Sequence, residues 1–147
     1  MLFRNYENLF GVLEELHIGF VTFSPLANSV LTAAYKDGNA FSHNDYRSVM
    51  PQFTPEAQEK NQELMALLQE LAESKKVSPA AIVLFRILAR KPYIVPIPGS
   101  RNIQRIAGNL QGSEVILSSE DNNRLTQLLN NSRLSDVFGG STVKKER

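Results

Sequence analysis

The residues best placed to do chemistry lie in one stretch, "IPGSRNIQRIAGN", residues 97–109. It follows a short apolar run, "YIVP", and places Arg101, Arg105 and Asn109 at a spacing of four and four. That spacing is one face of a helix whose first turn comes just after a strand. A helix start presents unbonded N–H groups and the positive end of the helix dipole, which suits an anion. The Gly99-Ser100 turn lets the backbone come close, Ser100 offers a hydroxyl, and two guanidiniums favour a phosphate over a neutral group. Asn109, two turns on, has the amide needed to read the edge of a base. By spacing alone, a nucleotide-phosphate site stands beside an ordinary solvated helix face, which the same pattern also produces.

Other chemistry is thinly represented. The 147 residues contain no cysteine, which removes disulfides, thiolate metal sites and cysteine nucleophiles together. No metal-ligand cluster, nucleophile elbow or paired-carboxylate pattern is visible. The two histidines, His17 and His43, read as turn or surface residues. Of the four tyrosines, Tyr6, Tyr35, Tyr46 and Tyr93, the last begins a strand and reads as packing. Hydrophobic content of 42%, charged content of 21% and a net charge of +1 describe a globular chain without the charge of a nucleic-acid or anionic-membrane binder. No apolar run reaches the ~20 residues a membrane helix needs, and no signal-peptide pattern opens the chain. A cytoplasmic protein is the expectation.

The elements that must carry this motif can be read from caps and periodicity. A helix is expected over Tyr6 to Leu16, with Leu9, Val12, Leu13 and Leu16 as its apolar stripe. "HIGFVTFSP" reads as a strand ended by Ser24-Pro25. Ala34 to Gln52 reads as a long polar loop, of the kind that is usually functional. Thr54-Pro55 opens a helix with Leu64, Leu67, Leu68, Leu71 and Ala72 inward. Ser78-Pro79 opens a second, "AAIVLFRILAR", apolar on nearly every side. "YIVPI" is the next strand, and the helix after it should carry Ile103, Ile106 and Leu110 inward. Ser118 and Asp121 form a capping-box-like pair before a last helix. The alternation predicts an α/β protein with a parallel sheet.

"IVPIPGSRNIQRIAGN" followed by "VILSSEDNNRL" resembles the C-terminal part of the aldo-keto reductases, NADPH-dependent carbonyl reductases on a TIM barrel. "GFVTFSPLANSVLT" resembles that family's seventh strand and the loop after it, and residues 53–92 resemble the helix pair between strands seven and eight. The resemblance implies the C-terminal part of a (β/α)8 barrel, about strands six or seven to eight, over residues 1–133, with a tail at 134–147. It implies NADP(H) as cofactor and a small carbonyl compound as substrate. Ser24 and Leu26 would lie by the pyrophosphate and ribose, and Ser100, Arg101 and Arg105 by the 2′-phosphate, with Gly99 also among the cofactor-binding residues. Asn109 would lie by the adenine.

Asp45-Tyr46-Arg47 resembles the family's substrate-mouth loop. Gly108 stands where the family often has Glu, Asn28 where a basic residue is common, and Ala27 and Ser29 where it has glycines. A left-handed backbone there would be strained and cofactor binding weakened.

Met1 falls within the segment that aligns with strand six. The family's catalytic Tyr, Lys, Asp and His would lie on the part of the barrel not in this sequence, so this chain alone is expected to be inactive. The strands and the "IVLF" run would then expose apolar surface on the order of a thousand Å². Self-association through open sheet edges is an expected consequence.

Overall fold

The structure is a computed structural model, and it describes residues 7–34, 41–42 and 44–131. Tyr6, Tyr35, His43 and the tail 134–147 lie outside the described residues.

Two short strands, β1 (Phe20–Thr22) and β2 (Ile94–Pro96), pair in parallel with Val21 opposite Val95. The crossover between them holds two helices, α2 (Pro55–Lys75) and α3 (Pro79–Leu88). That is the parallel arrangement expected from the alternation of elements, since only a long crossover can return a chain to a parallel neighbour. Helices α1 (Phe10–Glu15), α4 (Ile103–Leu110) and α5 (Ser119–Asn131) complete the order.

The helix starts follow their caps. Thr54 Oγ1 accepts from Ala57 N–H at 3.2 Å, and Ser78 Oγ from Ala81 N–H at 3.2 Å. Proline occupies the first turn of each helix, where its missing N–H costs nothing. Ser118 and Asp121 form the reciprocal pair, side chain to backbone in both directions at 3.1 Å. The core sits between α3 and the layer of α2 and α5. Leu64, Leu68, Leu71, Ile82, Val83, Ile87 and Leu125 are all essentially inaccessible there.

Several expectations are overturned. The first helix is shorter, a 3-10 turn at Glu7–Leu9 leading into α1. Its buried residue is Phe10, whose ring meets Tyr93 edge-on at 6.3 Å, while Leu9, Val12 and Leu16 are exposed. The i, i+3, i+4 pattern marks an apolar face but not what lies opposite it. The described residues of the polar loop are less irregular than expected, with 3-10 turns at Tyr46–Val49 and Pro51–Phe53. Ile103, Ile106 and Leu110 do not point inward: they are 82%, 44% and 67% exposed, and α4 buries no residue. Conversely, the "IVLF" run is covered, with Ile82, Val83 and Leu84 buried by the neighbouring helices. The bare apolar surface lies on the sheet and α4 instead.

Candidate functional site

The C-terminal ends of both strands open into one cleft of about 660 Å³. Three segments wall it: the turn after β1 with Ser24, Leu26, Asn28 and Ser29; the loop residues Ser42, Asn44, Asp45, Tyr46 and Arg47; and the turn after β2 with Ile97, Gly99 and Arg101. In parallel α/β architectures this end of the sheet is where ligands bind, because successive loops converge there.

The turn after β1 is unusual in its backbone. Ser24 (φ 46°), Ala27 (49°), Asn28 (54°) and Ser29 (82°) all adopt left-handed conformations without being glycine. Asn tolerates this region, but a left-handed L-residue generally costs about 1–2 kcal/mol. Local hydrogen bonds hold the turn, from Ala27 N–H to Ser24 O at 2.9 Å and from Ser29 N–H to Leu26 O at 3.0 Å. Ala27 and Ser29, read from sequence as substitutes for glycine, are indeed at positions whose conformation suits glycine. His17, read from sequence as a turn or surface residue, has φ 52° and sits in the turn after α1.

The turn after β2 differs from the sequence reading in one respect. Arg101 is not on the helix. Asn102 is the N-cap, its side chain accepting from Arg105 N–H at 3.1 Å, and α4 begins at Ile103. Ser100 Oγ accepts from Asn102 N–H at 3.1 Å, so the hydroxyl serves a local turn. The structure therefore brings Ser24, Leu26, Gly99 and Arg101 into one cleft. Ser100 adjoins it, and Arg105 and Asn109 lie along α4 outside the lining. The guanidiniums of Arg101 and Arg105 are exposed and form no ion pair among the described residues. A Cβ added at Gly99 would meet nothing, so the chain's own packing does not require that glycine.

The loop wall is built around Asp45, Tyr46 and Arg47 of the long polar loop. Asp45 caps its 3-10 turn by accepting from Arg47 N–H at 3.0 Å, and its carboxylate pairs with the Arg47 guanidinium. Those hydrogen bonds hold the Asp45 carboxyl down at about 2. Arg47 lies 4.6 Å from the centre of the Phe41 ring, which meets Phe53 edge-on at 4.8 Å. Tyr46 between them lines the cleft, its hydroxyl 3.5 Å from Asn28 Oδ1 across the opening. An Asp two residues before an Arg, at the start of a short turn, was the signal available for this wall.

A second group of titratable residues lies at the opposite end of the sheet. Lys91 Nζ donates to Glu14 at 2.5 Å, and the Tyr93 hydroxyl donates to Glu14 at 3.3 Å and to Phe10 O at 3.4 Å. Burial, then the nearby Glu14 charge, raises the Tyr93 phenol above its ordinary value, which weakens it as an acid. Its role is packing, as expected. Among the described residues no group of His, Cys, Asp and Glu is arranged to hold a metal, and no helix is long and apolar enough to cross a membrane.

Comparison with known proteins places this geometry. The Aldo/keto reductase family matches residues 1–130. Aldo-keto reductase str7 from Strobilurus tenacellus is 30% identical over 113 residues, 77% of this chain and 34% of that protein. Aldo-keto reductase yakc [NADP(+)] from Schizosaccharomyces pombe is 32% identical over 104 residues, 71% of this chain and 31% of that protein. Probable aldo-keto reductase 1 from Glycine max is 28% identical over 134 residues, 91% of this chain and 38% of that protein. The chain thus spans about a third of the length of these relatives. Among solved structures, the glycerol dehydrogenase AKR11B4 from Gluconobacter oxydans superposes with a TM-score of 0.78 at 21% identity, over 95% of this chain and 43% of that one. The parallel strands, their double-helix crossover and the cleft at their C-terminal ends are the last part of a (β/α)8 barrel, and the chain belongs to the aldo/keto reductase family.

Proposed function

We propose that this chain is the nucleotide-holding part of an NADPH-dependent reductase of aldehydes and ketones. One observation carries the reading. Among the described residues Arg101 has no ion-pair partner, and it lines a cleft that also holds Ser24, Leu26 and Gly99, at the C-terminal ends of both strands. The donor set suits a phosphorylated nucleotide. Two exposed guanidiniums, Arg101 and Arg105, flank the start of α4, whose dipole adds positive potential. Gly99 leaves room for close approach, and Asn109 offers an amide further along the helix.

In this reading Arg101 and Arg105 hold the 2′-phosphate, Ser24 and Leu26 face the pyrophosphate and ribose, and Asn109 faces the adenine. A reduced nicotinamide, when bound, supplies a hydride. The chain's own contribution is to bind and orient the nucleotide. The acid that protonates the carbonyl oxygen is neither Tyr93 nor Lys91, which are committed to Glu14 at the far end of the sheet. The strained turn at 27–29 is a source of weakened affinity.

Fluorescence titration of the purified chain tests the reading. NADPH should bind more tightly than NADH, and the preference should vanish in the Arg101→Ala/Arg105→Ala variant. Equal affinity for the two nucleotides in the unaltered chain overturns it. A second reading, a self-associating nucleotide-binding protein without reductase activity, draws on the exposed apolar side chains of Val21, Phe23 and Val95. Light scattering on the purified chain tests the second reading: a monomer counts against it.

A further inference from the structure

A nucleotide held by Arg101 and Arg105 runs along helix α4. Gly108 and Asn109 follow Arg105 by three and four residues, so both share its face one turn further on. One turn, about 5.4 Å, matches the step from a ribose to its base. Both residues are half-buried, whereas the other residues of α4 are exposed. The polar side chains around this turn are amides. Asn109 carries one, and among the described residues no hydrogen bond fixes which way it faces. Gln104 and Gln111 stand four before and three after Gly108. Helix α3 and the 3-10 turn Gln111–Ser113, which pack on α4, contain no Asp or Glu. Gly108 adds no side chain although there is room for one: a Cβ there would meet Ser78 Oγ at 3.9 Å, an ordinary contact distance.

We propose that this turn accepts 6-amino and 6-oxo purine dinucleotides alike, and that the missing side chain at Gly108 makes it so. The inference rests on the proposed function, because it needs the 2′-phosphate at Arg101 and Arg105. A carboxamide can turn over and present either its oxygen or its NH2, whereas an ionised carboxylate only accepts. Adenine offers an amino donor at its 6-position, and a 6-oxo purine offers an acceptor there. Asn109 therefore accepts from the amino group of adenine or donates to the 6-oxygen of hypoxanthine. A carboxylate at 108 would set an acceptor against that oxygen and leave it unpaired. The arginines select the phosphate, and the 6-substituent of the base goes unread.

Fluorescence titration of the purified chain with NADPH and with its deamino analogue, reduced nicotinamide hypoxanthine dinucleotide phosphate, tests the proposal. The two should bind within about threefold of each other, and Gly108→Glu should favour NADPH by about tenfold or more. Gly108→Gln, of the same size but an amide, should leave the ratio as it is in the unaltered chain. Both substitutions replace a glycine inside a helix by a better helix former, so circular dichroism should show the fold intact. A preference for NADPH beyond about threefold in the unaltered chain, or the same ratio in the Glu and Gln variants, overturns this inference alone. Failure of either dinucleotide to bind, or equal affinity for NADPH and NADH, overturns the proposed function and this inference with it.

Discussion

Gly112 lies so close to Leu84 that a Cβ added to it would stand 2.8 Å from the Leu84 Cβ and 3.1 Å from the Ala81 carbonyl oxygen. The 3-10 turn Gln111–Ser113 packs directly on α3 at this point, and Gly112 is buried. Its value is its missing side chain, not its backbone freedom. Gly112→Ala forces the turn away from the core, and the expected loss is about 1–3 kcal/mol. Urea denaturation measures it. An unchanged midpoint would show that the turn can shift at no cost.

The Asp45–Arg47 pair should make the cleft wall sensitive to acid. The folded-state carboxyl is held at about 2, chiefly by hydrogen bonds from Arg47, whereas an unstructured aspartate titrates near ~4. A depressed carboxylate stabilises the fold above its unfolded value, and that contribution disappears as pH falls from about 4 through about 2. Nuclear magnetic resonance of the Arg47 Nε should therefore move in this window. In Asp45→Asn the movement should be lost, and exchange at Tyr46 should become faster at neutral pH.

The left-handed turn after β1 predicts a gain of stability. Ser29, at φ 82°, holds a conformation that glycine adopts without steric cost. Relief of about 1–2 kcal/mol of strain exceeds the ~0.5–1 kcal/mol of extra chain entropy that glycine brings. Ser29→Gly is expected to raise the thermal midpoint. If instead it lowers stability, the turn is held by something other than its backbone geometry.

For the arginines the expected loss is selective. Charge-assisted hydrogen bonds contribute roughly 1.5–3 kcal/mol each, so Arg101→Ala should weaken NADPH binding by about ten- to a hundredfold. NADH, without the 2′-phosphate, should bind as before. A parallel loss for both nucleotides would place Arg101 at the pyrophosphate.

Short-range features were the most legible in the sequence. Thr54, Ser78 and the Ser118–Asp121 pair marked three helix starts correctly, because a cap is a contact between residues three apart. The two strands were legible as runs though shorter than read, Phe20–Thr22 and Ile94–Pro96. Asn102 was missed as the cap of α4. The four-and-four spacing of Arg101, Arg105 and Asn109 put Arg101 on a helix it does not join, because spacing does not mark where a helix starts.

By itself, the amino-acid sequence determined the order and type of the main elements, three of the helix starts and the resemblance to a family. These depend on periodicity and on contacts within a turn. Only the tertiary structure decided that Ser24, Leu26, Gly99 and Arg101 meet in one cleft while Arg105 and Asn109 stand outside its lining. It also decided that Phe10 is buried and Ile103 bare, and that Gly112 must lack a side chain. An apolar side chain reports that it should be covered, but coverage depends on which surface the rest of the fold brings opposite it.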